Sequence, residues 1–130
     1  MLLFGRKNKV LSFEEERSKY PILYRRELGV HPVEVDRIVG TVGRTADMKA
    51  DFQFRGIFSR ERSRRVSRLM ERGELNEAIS VYELDGKYFV LDGHHRVGAA
   101  KKLGQEYLDA DIIQLIPARS HSQVQAGKPA

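Results

Sequence analysis

Two apolar runs, Ala78-Ile79-Ser80-Val81-Tyr82-Glu83-Leu84 and Lys87-Tyr88-Phe89-Val90-Leu91, are joined by just two residues, Asp85-Gly86. A two-residue hairpin link needs positive φ at both positions, and Asp-Gly meets that need at low steric cost. The spacing therefore predicts an antiparallel hairpin. Its second strand leads directly into Asp92-Gly93-His94, and a helical pattern follows from about His95 to Leu103 with Val97, Ala100 and Leu103 inward. Gly104 stops it, and Tyr107 to Ile116 has the character of a last strand. A hairpin, a short helix and a returning strand in one stretch commit the chain to a mixed α+β fold.

Upstream the signals are more scattered. Ser12-Phe13-Glu14-Glu15 is a capping box that starts a helix near Phe13. Pro21 interrupts it and suits the first position of a further helical turn ending at Gly29, with Tyr20, Leu23 and Leu28 as the buried side. Val33-Glu34-Val35-Asp36-Arg37-Ile38 alternates like a half-buried strand, followed by the glycine-marked loop Gly40-Thr41-Val42-Gly43-Arg44. Thr45 to Gly56, containing Asp47, Asp51, Phe52 and Phe54, is poorly periodic and long for a connection, which suits a segment lining a site. Ser59 is placed to cap a helix from about Arg60 to Arg72, closed by Gly73, with Val66, Leu69 and Met70 on its inner side. These elements divide the chain into an N-terminal helical brace (1–30), a main domain (31–117) and a tail (118–130) too polar to order itself.

At 130 residues one core is expected. No apolar run approaches 18 residues, and the apolar-then-basic start is the reverse of a secretory signal, so the expected location is cytoplasmic. The absence of cysteine excludes disulfides, thiolate metal sites and a cysteine nucleophile. Charge is concentrated. Seven arginines against two glutamates between Arg55 and Arg72 match the net charge of +5 of the whole chain. Arg60, Arg64, Arg65, Arg68 and Arg72 spread over the outer side of that helix, a face suited to a nucleic acid or another anion, or simply to solvent.

The passage richest in chemistry is Asp92-Gly93-His94-His95-Arg96. A glycine turn between a strand and a helix exposes the helix's first amides, at the positive end of its dipole, to an anion. His94 and His95 add donors, and Arg96 offers a planar fork for phosphate oxygens. Three roles are open to Asp92: capping the helix, orienting a histidine, or holding a divalent metal through water. A histidine pair without a third ligand is not itself a metal site.

Hairpin, Asp-Gly-His-His-Arg, helix and final strand, over roughly Val33 to Ile116, resemble the ParB/sulfiredoxin superfamily. The resemblance implies a small mixed sheet with flanking helices. It also implies a Gly-x-x-Arg loop (here Gly93, His94, His95 and Arg96) that holds the phosphates of ATP, ADP or CTP, with Arg44 near the ligand and Mg²⁺ as a bridge. The variant is most similar to ParB-like archaeal free-serine kinases and to uncharacterised prokaryotic ParB-like proteins. A sulfiredoxin needs a cysteine where His94 stands, so sulfinic-acid reduction is excluded. The helix-turn-helix region of partition proteins and the C-terminal region of the serine kinases have no counterpart in these 130 residues, so a whole partition protein is not expected.

The expectation is thus a nucleotide-binding domain, with phosphoryl transfer or hydrolysis left open and Asp92, Asp51 and Asp47 as candidate carboxylates for it. The alternatives are a DNA-binding or nuclease protein using Arg60, Arg64, Arg65, Arg68 and Arg72, and a subunit that binds a protein partner.

Overall fold

The computed structural model describes residues 9–19, 21–45, 48–49, 51–53 and 57–118, with the backbone alone for 57–59. Asp47, Phe54 and Tyr20 lie outside them, as does the tail beyond Ala118. Six strands form one mixed sheet: β1 (Leu11–Ser12), β2 (Ile22–Glu34), β3 (Ile38–Thr41), β4 (Ile79–Leu84), β5 (Lys87–Asp92) and β6 (Tyr107–Pro117), in the order β1-β3-β5-β4-β6-β2. Three helices accompany it: α1 (Phe13–Arg17), α2 (Ile57–Glu71) and α3 (His94–Leu103). The α+β class expected from the hairpin is the one observed. No helix among the described residues is long and apolar enough to cross a membrane.

The local signals at the hairpin act as expected. Asp85 and Gly86 take φ of 55° and 81° and turn β4 into its antiparallel partner β5. Ser12 caps α1 by accepting from the Glu15 amide, and Gly104 ends α3 in a left-handed conformation. Period-two alternation then sorts side chains to two faces. Ile79, Val81, Val90, Ala110 and Ile112 pack with Val97, Ala100 and Phe52 on the face covered by α2 and α3. Leu84, Phe89 and Leu115 meet Phe13 of α1 on the other. Phe52 and Phe89 are wholly buried, and each such side chain contributes about 2–3 kcal/mol.

Several expectations are corrected. Residues 22–34 are a strand, not the continuation of a helical brace: β2 pairs antiparallel with β6 along its length, and Leu23 is 60% exposed. Most of its residues face solvent on both sides, and bulges at Leu23 and Leu28 break the alternation that would have marked it. The alternating Val33–Ile38 stretch is the end of β2, a 3-10 turn at Val35–Arg37 and the start of β3, its apolar residues all buried. α2 begins at Ile57, so Ser59 is within the helix rather than its cap. Leu103 is 39% exposed, on the open side of the last turn of α3.

Candidate functional site

β3 and β5 are neighbours and run parallel, with Thr41 beside Val90. Chains leaving two parallel strands emerge at the same edge of the sheet, where ligands of α/β sheets tend to bind. Here that geometry brings the loop after β3, with Arg44, to the start of α3 after β5. The Val42 amide donates to the Val90 carbonyl at 3.0 Å, and Thr41 Oγ1 is hydrogen-bonded to His94 Nε2 at 2.6 Å.

Gly93 makes the junction possible. Its φ of 106° is disfavoured for any other residue, and a Cβ there would meet Ile79 Cγ2 at 2.5 Å. It is the N-cap of α3, and no side chain caps that end. Asp92 is therefore not a cap: it is the last residue of β5, with its carboxylate 82% exposed and 3.6 Å from the Arg96 guanidinium.

The two histidines have different surroundings. His94 is buried, and burial, reinforced by the positive Arg44, pushes its pKa down to about 4. It is a neutral ring at physiological pH and adds no positive charge to the loop. His95 is half-buried, with Nδ1 hydrogen-bonded to Ser63 Oγ of α2 at 2.9 Å. Burial, then Arg62, then Arg44 hold its pKa below the ordinary histidine value. A glycine-opened helix start is thus flanked by the cations Arg44 and Arg62. Such a place favours an anion by dipole and by charge.

Arg96 is turned elsewhere. Its Nη1 donates to the carbonyls of Glu77 and Ala78 at 2.7 and 3.2 Å, so the fork braces the segment leading into β4. Asp51 accepts from the Gln53 amide, and Gln53 Nε2 donates to the Gly98 carbonyl at 2.9 Å, which fastens the aperiodic segment to α3 rather than to the loop. Arg60, Arg64, Arg65 and Arg68 are exposed on α2, and Arg72, expected within the helix, is exposed in the turn just past its end at Glu71. Arg62 was missed as a site residue. Its signal was available, since it falls four residues before Val66 and eight before Met70, on the stripe that turns toward α3. Among the described residues, no group of three or more histidines, aspartates or glutamates is placed to hold a metal ion.

No protein-family model matches the chain, and no curated protein matches it. Among solved structures it is similar to sulfiredoxin from Arabidopsis thaliana, at 16% identity over 77% of this chain and 98% of that one, with a TM-score of 0.48. It is also similar to a conserved hypothetical protein from Pyrococcus furiosus, at 17% identity and a TM-score of 0.46. There the match covers 67% of this chain and 33% of the other, so this chain spans about a third of that protein. Neither likeness says anything of a ligand.

Proposed function

We propose that the chain is a ParB-like nucleotide-binding domain that holds the phosphates of a nucleoside di- or triphosphate at the Gly93–Arg96 end of α3. The observation that supports this is the meeting of Arg44 and Arg62 around His94 and His95, at an uncapped helix start. In this reading the amides of the first turn and the two arginines bind phosphate oxygens. Gly93 lets the backbone approach, and His95 lies beside the ligand. Arg96 shapes the loop by holding Glu77 and Ala78, and its role is support. Asp92, an exposed carboxylate beside the loop, would hold a Mg²⁺ ion through water, the ion supplying charge neutralisation, or would accept a proton during transfer.

The test is calorimetric titration of ATP, ADP and CTP with Mg²⁺ into the wild type, Arg44→Gln and Arg62→Gln. Micromolar binding weakened roughly tenfold, about 1.4 kcal/mol, by each substitution is expected. Absence of heat with all three nucleotides would overturn the reading. Arg96→Ala, by contrast, should lower the melting temperature as well as the affinity. Asp92→Asn should keep binding and lose any turnover the wild type shows.

A second reading rests on a separate observation, the exposed arginines Arg60, Arg64, Arg65 and Arg68 along α2 with Arg72 just past its end. They suit a nucleic-acid backbone. No aromatic residue is interleaved with them for base stacking, so phosphate contact would dominate. Binding of duplex DNA should then weaken with salt by about 0.9 log units per log unit for each phosphate engaged. A flat salt dependence would remove this reading.

A further inference from the structure

On the face of the sheet opposite His94 and His95, the short helix α1 covers part of β4, β6 and β2, and among the described residues a cavity of about 290 Å³ opens beside it. Its floor is aromatic and aliphatic. Phe13 and Tyr82 stack with centroids 4.8 Å apart and planes tilted by 31°, beside Leu115 and Ile22. Its walls carry Arg17 from α1 and Arg25 from β2, and Tyr24 stands at its rim, 54% exposed.

The polar groups around it are not used within the chain. Among the described residues, no hydrogen bond or ion pair engages the guanidinium groups of Arg17 and Arg25 or the hydroxyls of Tyr24 and Tyr82. Among the described residues, no carboxylate lines the cavity. Of the three glutamates of α1, Glu16 pairs with Lys19 and Lys87, at 2.8 and 3.5 Å.

These facts narrow the ligand by elimination. A cation would be repelled by two arginines. A small polar anion such as free phosphate would gain nothing from the stacked floor. A wholly apolar ligand would strip water from two guanidinium groups and give no hydrogen bond in return. A flat ring carrying an anionic group satisfies both parts: the ring packs on Phe13, Tyr82 and Tyr24, and the anion takes the charge-assisted bonds of the arginines. The volume is at the small end for ligand pockets, room for one or two fused rings with their charged group.

We propose that this cavity is a second binding site, for a planar aromatic anion, formed by Arg17, Arg25, Tyr24, Tyr82 and Phe13. It stands independently of the nucleotide reading. The anion is a ring carboxylate or the phosphate of a nucleoside monophosphate, and the experiment separates the two.

The full chain, isotopically labelled, is titrated in separate NMR experiments with benzoate, indole-3-carboxylate, AMP, neutral benzamide and inorganic phosphate. Resonances of Tyr82, Leu115 and Arg25 should move with one of the ring anions, at a dissociation constant of about 1 mM or below. Benzamide and phosphate should leave them in place. Movement with the carboxylates alone identifies a ring acid, and tighter binding of AMP identifies a nucleotide. The double variant Arg17→Gln, Arg25→Gln changes only surface side chains, and it should weaken binding at least tenfold with unchanged shifts elsewhere. Three outcomes would overturn the proposal: equal response to benzamide and benzoate, undiminished binding by the double variant, or shifts confined to Gly93–Arg96 with every probe.

Discussion

Under α2 and α3 the sheet meets a second layer that fits it closely: Phe52 is wholly buried at a φ of 64°, and a Cβ on Gly98 would lie 2.5 Å from the Phe52 carbonyl oxygen. Toward β6 and β2 the opposite face is covered, among the described residues, by the five residues of α1, and these leave a cavity between Tyr82 and Arg25. The difference follows from the length of the covering helices. Two helices of 15 and 10 residues fill one side, whereas a helix of little more than one turn shields only Phe13 and its neighbours on the other. Chain stability should therefore be concentrated on the first face, and the second should tolerate change.

The sharpest way to break this contrast is Phe52→Ala. Removing the ring from the closed layer should cost about 3–5 kcal/mol, read from the midpoint of urea unfolding. A loss under 1 kcal/mol would mean that the layer is loose. Next is Gly98→Ala. In an unconstrained helix interior this change stabilises by up to about 1 kcal/mol. Here the new Cβ meets backbone rather than a movable side chain, so a destabilisation of about 1–3 kcal/mol is expected instead, and its sign alone decides.

Acidification probes the same layer. His94 protonates near 6.5 when unfolded and at about 4 in the fold. Between those values the unfolded chain binds more protons, so the stability contribution is complete above 6.5 and is lost as pH falls toward 4. The slope should approach 1.4 kcal/mol per pH unit at most, about the cost of one bound proton, and His94→Gln should flatten it. Thermal melts from pH 7 to pH 4 on both proteins check this. The smallest effect belongs to the open face: Ser12→Ala, which removes the cap of α1, should cost about 1 kcal/mol or less.

The sequence made the hairpin, α3 and the capped start of α1 readable because each is set by a local rule: positive φ at Asp85-Gly86 and Gly93, an N-cap at Ser12, a stop at Gly104. β2 was not readable, since it is a strand only by virtue of its bonds to β6, with solvent on most of its side chains and two bulges disturbing the period. The candidate site was half legible. Gly93 and the histidines were found from the junction and Arg44 from the family resemblance, and their meeting follows from β3 and β5 being parallel neighbours. That Arg96 turns back to Glu77 and Ala78 depends on where the chain before β4 passes, which no local pattern carries. The burial of Phe52 in a left-handed conformation was equally silent, because the neighbours that enforce it come from α3, far along the chain.

The placing of β6 between β4 and β2 bears on how the molecule is made. β2 precedes the hairpin, yet among the described residues the strand it pairs with is β6, which follows the hairpin and α3. On a ribosome it must wait, unpaired, while the hairpin, α2 and α3 are produced, and the sheet closes only when Tyr107–Pro117 has cleared the exit tunnel. Until then β4 and β2 both lack their β6 partner, and a stall or truncation before β6 releases a chain with two adhesive strands. β6 therefore acts as the fastener of β2.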